Sequence, residues 1–215
     1  MMMMGVVRVL RVLTDVCCAG PLVYVERSDS FVMASSDFTV QSYRYQSLAV
    51  AGERQESQEI TSARRVSADW SCGLGEPVRS IEVIPSLDRE EPATIVCLTR
   101  QSLLALHDTG GVLWAKKLDF SPRCLRSFSS LLYDRRVISL VSSHSGSLMF
   151  YDNTSLRWAS QLGGRNPVSV ARGRFWDRET SQTAQGLLVT LTEEGNLAVT
   201  FLGIIRRSRN KIKSF

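Results

Sequence analysis

The chain has 215 residues, of which 44% are hydrophobic and 22% charged, enough apolar material for one large or two small folded units and too little bias for a disordered, collagenous or membrane-spanning class. Its formal net charge of +5 is local: Arg206, Arg207, Arg209, Lys211 and Lys213 account for five of the 26 basic side chains, and the remaining 21 balance 21 acidic ones. A nucleic-acid groove needs clustered Lys and Arg on one face, so partnership with nucleic acid is not expected. Five cysteines, an odd number without C-x-x-C spacing, suggest neither a disulfide framework nor a zinc site.

In chain order, MMMMGVVRVLRVL is apolar but interrupted by Arg8 and Arg11. Its uninterrupted runs are too short for a signal core or a membrane span, and Val6–Leu13 reads as a strand. Gly20-Pro21 marks a break, and Leu22–Val25 follows as a strand. After a polar turn at Glu26–Asp29, Ser30–Ser35 and Phe38–Tyr45 form a hairpin about Ser36-Asp37, rich in aromatic and β-branched residues. Gly52–Arg65 is long, charged and aperiodic, a surface insertion. Val66–Ser71 returns to strand.

The next stretch holds four strands: Val78–Val83, Ala93–Thr99, Leu103–Leu106 and Val112–Lys117. Ala93–Thr99 is almost continuously apolar, as expected where a sheet is covered on both faces. Asp108-Thr109-Gly110-Gly111 supplies a tight turn in which glycine provides the positive φ. The following unit repeats the order with Cys124–Ser129, Arg136–Ser142, Ser147–Tyr151 and Leu156–Gln161, and a last one offers Val168–Arg172, a polar loop over Asp177–Gln185, Leu187–Thr192 and Asn196–Phe201.

One motif organises these units. Trp70…Leu74, Trp114…Leu118 and Trp158…Leu162 each spell W-x-x-x-L, at equal intervals of 44 residues, and Pro77, Pro122 and Pro167 follow seven to nine residues after the tryptophans. A period of this length with several short strands per unit is the signature of a β-propeller. The expected fold is all-β: a partial propeller of about four blades of four antiparallel strands, the last incomplete. Residues 1–19 form an N-terminal strand or extension, the blades span about 20–74, 75–118, 119–162 and 163–203, and 204–215 is a basic tail. Because ring closure usually needs four to eight blades, the chain reads as an excerpt from a longer ring rather than a minimal four-bladed ring that borrows Val6–Leu13. A large planar side chain at the same place in each unit suits a seal between neighbouring blades better than a ligand channel, since binding sites break symmetry.

Chemistry is sparse. The two histidines, His107 and His144, sit at a strand end and in a hairpin turn, and no G-x-S-x-G, H-E-x-x-H or phosphate-loop pattern occurs. Glu193-Glu194 precedes Gly195 in a turn, and adjacent strand residues point to opposite faces. No catalytic, cofactor-binding or metal residues are assigned, and no enzyme is expected. Asp108–Trp114 is similar to the tryptophan-docking repeat of quinoprotein propellers, some of which bind pyrroloquinoline quinone. A quinoprotein-like enzyme or ligand-binding propeller is therefore the alternative, although the other repeats do not preserve that pattern.

Longer runs carry a more specific resemblance. Gly20-Pro21-Leu22, Ser28-Asp29-Ser30-Phe31, Gln41–Gln46, Asp69-Trp70, Lys116–Pro122, Arg157–Leu162 and Val189–Gly195 resemble, in order, the parathyroid hormone-responsive B1 family, the ninth Bardet–Biedl syndrome subunit of the BBSome. The resemblance covers roughly residues 20–203 and implies the later part of that family's N-terminal β-propeller. It further implies a non-catalytic scaffold that binds other BBSome subunits, associates with membrane only indirectly through the complex, and acts in trafficking of membrane proteins to and from cilia or flagella. The implied location is the cilium or flagellum, basal body and cytoplasm, and the chain is expected to be a truncated form.

Overall fold

The computed structural model describes residues 20–48, 67–86, 91–130, 136–162, 166–176 and 183–201. The expected strand at Val6–Leu13, the insertion at Gly52–Arg65 and the basic tail lie outside them. Within them the chain forms four antiparallel sheets in sequence order. Blade 1 comprises β1 (Leu22–Val25), β2 (Ser30–Ala34), β3 (Thr39–Arg44) and β4 (Trp70–Gly73). Blade 2 holds β5 (Val78–Ile84), β6 (Thr94–Thr99), β7 (Ser102–His107) and β8 (Val112–Lys117). Blade 3 holds β9 (Pro122–Ser130), β10 (Arg136–Ser143), β11 (Ser147–Asp152) and β12 (Ser155–Gln161). Among the described residues blade 4 holds β13 (Pro167–Trp176), β14 (Thr183–Thr192) and β15 (Leu197–Phe201). Each sheet is a simple meander, and β1, β5, β9 and β13 are neighbours from blade to blade. This is the all-β propeller architecture that the 44-residue interval predicts.

The period-2 pattern of the strands explains how blades join. In β6, Ile95 and Cys97 pack with Val25, Val32 and Val40 of blade 1, whereas Val96 and Leu98 turn the other way onto Leu125, Val141 and Tyr151 of blade 3. Strand β10 divides likewise: Val141 joins the blade 2 side, while Ile138 and Leu140 meet Val170 and Leu188 of blade 4. Each of the three cores is thus a joint between two sheets, and the middle strands are apolar on both faces because both are covered. Fully burying each of these Val, Leu and Ile side chains contributes on the order of 1.5–3 kcal/mol.

Several boundaries differ from expectation; the strand expected over Val66–Ser71 is β4, which begins only at Trp70 and runs to Gly73. Phe38 was expected to open a strand, but it lies in the turn with φ +63°, bonding its N–H to Ser35 O, so β3 begins at Thr39. The strand-forming tendency of an aromatic residue is overridden here by closure of a short hairpin. The loop expected over Asp177–Gln185 is shorter, because Thr183, Ala184 and Gln185 pair with Trp176, Phe175 and Arg174 and extend the β13–β14 hairpin. Ladder bonds come from backbone, so polar side chains do not end the pairing. Pro122 and Pro167 are first residues of β9 and β13, where the missing N–H costs no ladder bond.

Candidate functional site

The repeated W-x-x-x-L segments are the fourth strands of blades 1 to 3, with Trp70, Trp114 and Trp158 opposite Ser42, Ala105 and Phe150. Each indole packs on a different joint: Trp70 on the core between blades 1 and 2, Trp114 on that between 2 and 3, Trp158 on that between 3 and 4. Leu74 is packed on the first joint, and Leu118 and Leu162 are buried in the second and third. The backbones repeat as well. Leu74 N donates to Phe38 O (2.9 Å), Leu118 N to Gln101 O (2.7 Å) and Leu162 N to Gly146 O (2.8 Å), so each leucine ties the end of its strand to the turn between the second and third strands of its own blade.

Trp70 also reaches into the next blade. Its Nε1 donates to Asp108 O at 2.8 Å in the β7–β8 turn, and its ring lies against Gly110, whose φ of +89° bends that turn. A Cβ placed at Gly110 would fall 2.8–2.9 Å from three ring atoms. Glycine is therefore required there for two separate reasons, backbone conformation and close approach.

The turn that receives Trp70 holds a feature the sequence reading passed over. Asp108 and Asp152 are 44 residues apart, each six residues before a repeat tryptophan, and both are buried. Asp108 Oδ2 accepts from Ala93 N (3.2 Å) and pairs with Arg27 of blade 1 (3.2 Å), an ion pair across a joint. Asp152 Oδ2 accepts from Arg157 Nη2 (2.7 Å) and Nε (3.1 Å) and from Arg136 Nη1 (3.4 Å). The shared interval with tryptophan was the available signal. Buried carboxylates require such partners, since desolvation of an unpaired charge costs several kcal/mol.

The residues weighed for chemistry are placed apart from any reacting constellation. His107 ends β7. His144 lies between two guanidinium groups, with Arg79 Nη1 3.3 Å from Nε2 and Arg123 Nη1 3.3 Å from Nδ1. Glu193 forms an ion pair with Arg123, linking blades 3 and 4. Burial pushes the Glu82 carboxyl up, opposed by the Arg126 guanidinium at 3.3 Å. Cys97 is buried, and with Cys72 and Cys124 it is a free thiol. Among the described residues no group of three or more His, Cys, Asp or Glu side chains is placed to hold a metal ion, and no helix is long and apolar enough to cross a membrane. A cleft of about 80 Å³ between Pro85, Pro92, Ser129 and Val137 is far below the ~300–1,000 Å³ of ligand pockets, and a shallow, open one of about 280 Å³ beside Ser28, Asp29, Arg44 and Gln46 lies near the lower end of that range. The described surface consists of sheet edges and the turns between strands.

A family model described as PTHB1 N-terminal matches residues 2–204. Protein PTHB1 of Xenopus laevis is 35% identical over 189 residues, which is 86% of this chain and 21% of that protein. Protein PTHB1 of Homo sapiens is 33% identical over the same length, 86% of this chain and 20% of the relative. The chain thus spans about a fifth of the length of the curated relatives it matches. Among solved structures, BBS1N in a crystal structure with ARL6DN soaked with mercury aligns over 82% of this chain and 47% of that one, with TM-score 0.55 and 15% identity. The corresponding lead-soaked structure gives TM-score 0.50 and 14% identity over 80% of this chain and 49% of that one. At such identity the likeness concerns the fold.

Proposed function

This chain belongs to the PTHB1 family through its N-terminal part, and on that premise we propose that it is a non-catalytic interaction subunit of the BBSome, serving transport of membrane proteins to and from cilia or flagella. The observation that carries the reading is the family match over residues 2–204, nearly the whole chain. The physical design agrees with it. Apolar side chains and the repeat tryptophans pack in joints between blades, while several titratable side chains form ion pairs in or between turns. Contact with membrane is indirect, through the complex, and residence at the cilium or flagellum and basal body follows from membership in it.

Affinity purification of the tagged chain from ciliated or flagellated cells, with quantitative mass spectrometry, tests this. Other BBSome subunits should be enriched over an unrelated propeller expressed to the same level. Soluble, well-expressed bait that recovers none of them would reject the assignment.

A further inference from the structure

We propose that Arg79, Arg123 and His144, which converge at the joint between blades 2 and 3, form a site for the phosphate ester of a phosphorylated serine or threonine on a partner chain. The inference goes beyond the interaction role proposed above and rests on this geometry, so its failure would leave the family reading untouched.

The three residues meet at one end of the sheets. In a four-stranded meander the start of the first strand and the turn between the second and third lie at the same end. Arg79 and Arg123 are the second residues of β5 and β9, 44 residues apart, each two places before a buried core residue, Ile81 or Leu125. His144 lies in the β10–β11 turn. Each arginine reaches forward over its joint to the next blade. Arg123 meets the Glu193 carboxylate in the β14–β15 turn. His144 holds the same place in its own turn, directly after the residue whose hydroxyl accepts a turn N–H, Ser143 in blade 3 and Thr192 in blade 4. Arg79 therefore meets an imidazole where Arg123 meets a carboxylate. Its Nη1 donates to Pro122 O at 2.8 Å and stands 3.3 Å from His144 Nε2, and among the described residues it forms no ion pair.

The cluster is rich in donors. A neutral imidazole has one lone-pair nitrogen and one N–H. Guanidinium groups approach both nitrogens of His144, each at 3.3 Å, so in either tautomer one contact sets donor against donor. An oxyanion with lone pairs on several oxygens accepts from all three side chains at once. Charge runs the same way, with two guanidinium groups facing the single carboxylate of Glu193. Guanidinium forks bind phosphate oxygens in bidentate fashion, and arginine clusters are a recurring reader of phosphorylated motifs. A phosphate ester, with nearly two charges and three acceptor oxygens, uses this surplus more fully than a lone carboxylate.

The architecture does not itself call for these arginines. Val168 occupies the corresponding place in β13, two residues before buried Val170, and is 37% exposed. Arg79 and His144 are exposed and Arg123 is partly so, open to a partner from solvent. Asp37, Glu76 and Glu194 also sit in or beside turns at this end of the sheets, an arrangement that favours one compact anion over the broad negative surface of a membrane.

The experiment follows the imidazole proton resonances of the full chain, in which His107, closing β7 at the other end of its sheet, is the internal control. The probes are an end-blocked peptide with one phosphoserine between glycines and its counterpart with glutamate. At neutral pH the phosphopeptide should shift the His144 ring saturably and leave His107 in place, binding about tenfold or more tightly than the glutamate peptide. Arg79→Gln should weaken binding about tenfold or more, Arg79→Lys, which keeps the charge without the fork, by less, and Arg126→Gln, farther along β9, not at all. No shift at His144, equal shifts at both rings, equal binding of the two peptides, or unchanged binding to folded Arg79→Gln protein would each overturn the proposal. Vesicles of phosphatidylcholine and phosphatidylinositol phosphate that shift His144 at lower phosphate concentration than the peptide would overturn it in favour of a membrane.

Discussion

Substituting Gly110 by alanine tests the joint where it is most exacting. At φ +89° an L-residue is held in the left-handed region, at about 1–2 kcal/mol. Independently, the new methyl would stand 2.8 Å from the Trp70 ring, which must shift or tilt off its bond to Asp108 O; overpacking of this kind costs about 1–3 kcal/mol. The expected loss is about 2–5 kcal/mol, read from urea unfolding, with a fall in Tm of roughly 5–15 °C. Gly111→Ala is the control, because a methyl there meets nothing within 4 Å, and its change should stay within about 0.5 kcal/mol. The decisive measurement is the double-mutant cycle with Trp70→Ala. That substitution alone should cost about 3 kcal/mol for a partly buried indole, and in its background the clash disappears, leaving Gly110→Ala only its backbone component. A coupling of about 1–3 kcal/mol is expected. Strict additivity, or equal losses at Gly110 and Gly111, would refute the claim that the indole packs against this turn.

Asp152→Asn should destabilise the chain by about 1–3 kcal/mol in urea titrations, less than a fully buried pair would, because Arg136 and Arg157 are themselves half exposed (49% and 51%); a neutral effect would mean that the pair is ornamental. Hydrogen bonds from the Thr99 hydroxyl, Gln101 N–H and Ser102 hydroxyl hold the Glu76 carboxyl below its ordinary 4.5. Its folded-state pKa is depressed, so its contribution is complete above the ordinary value and fades as pH falls through the folded one; Glu76→Gln should flatten the loss of urea midpoint between about pH 5 and pH 3, and unchanged slopes would contradict this. Burial, and to a lesser degree neighbouring Cys72, pushes the Cys97 thiol up to about 12. Peptide mapping after iodoacetamide at mildly alkaline pH should find Cys97 unmodified in folded protein and alkylated in urea; labelling of folded protein at Cys97 would deny its place in the first joint.

The fold was legible because its determinants are chemically rare and evenly spaced. Tryptophan recurring every 44 residues can be counted, and the apolar run through Ala93–Thr99 follows directly from a strand buried on both faces. The carboxylates at Asp108 and Asp152 obey the same interval but were hidden by their type: aspartate is a common turn residue, and nothing local distinguishes a solvated one from one buried under an arginine 81 residues earlier. Phe38 was misplaced for a related reason. An aromatic residue beside Thr39 and Val40 argues for strand, and only the closure of the β2–β3 hairpin, with Phe38 N on Ser35 O and Ser35 N on Thr39 O, makes a left-handed turn residue of it. The extension of β13 and β14 through Arg174 and Gln185 was invisible because ladder bonds leave no mark on side-chain polarity.

These misses share a cause that bears on function. Side chains that face a joint are constrained by the neighbouring blade, so their identity reports packing, whereas the turns and edges that could meet another protein are specified by backbone geometry and by pairs distant in sequence. The same backbone bond from leucine to turn is made with Phe38, Gln101 or Gly146 as acceptor, three residues with unlike side chains. A surface defined in this way tolerates wide sequence change while keeping its shape.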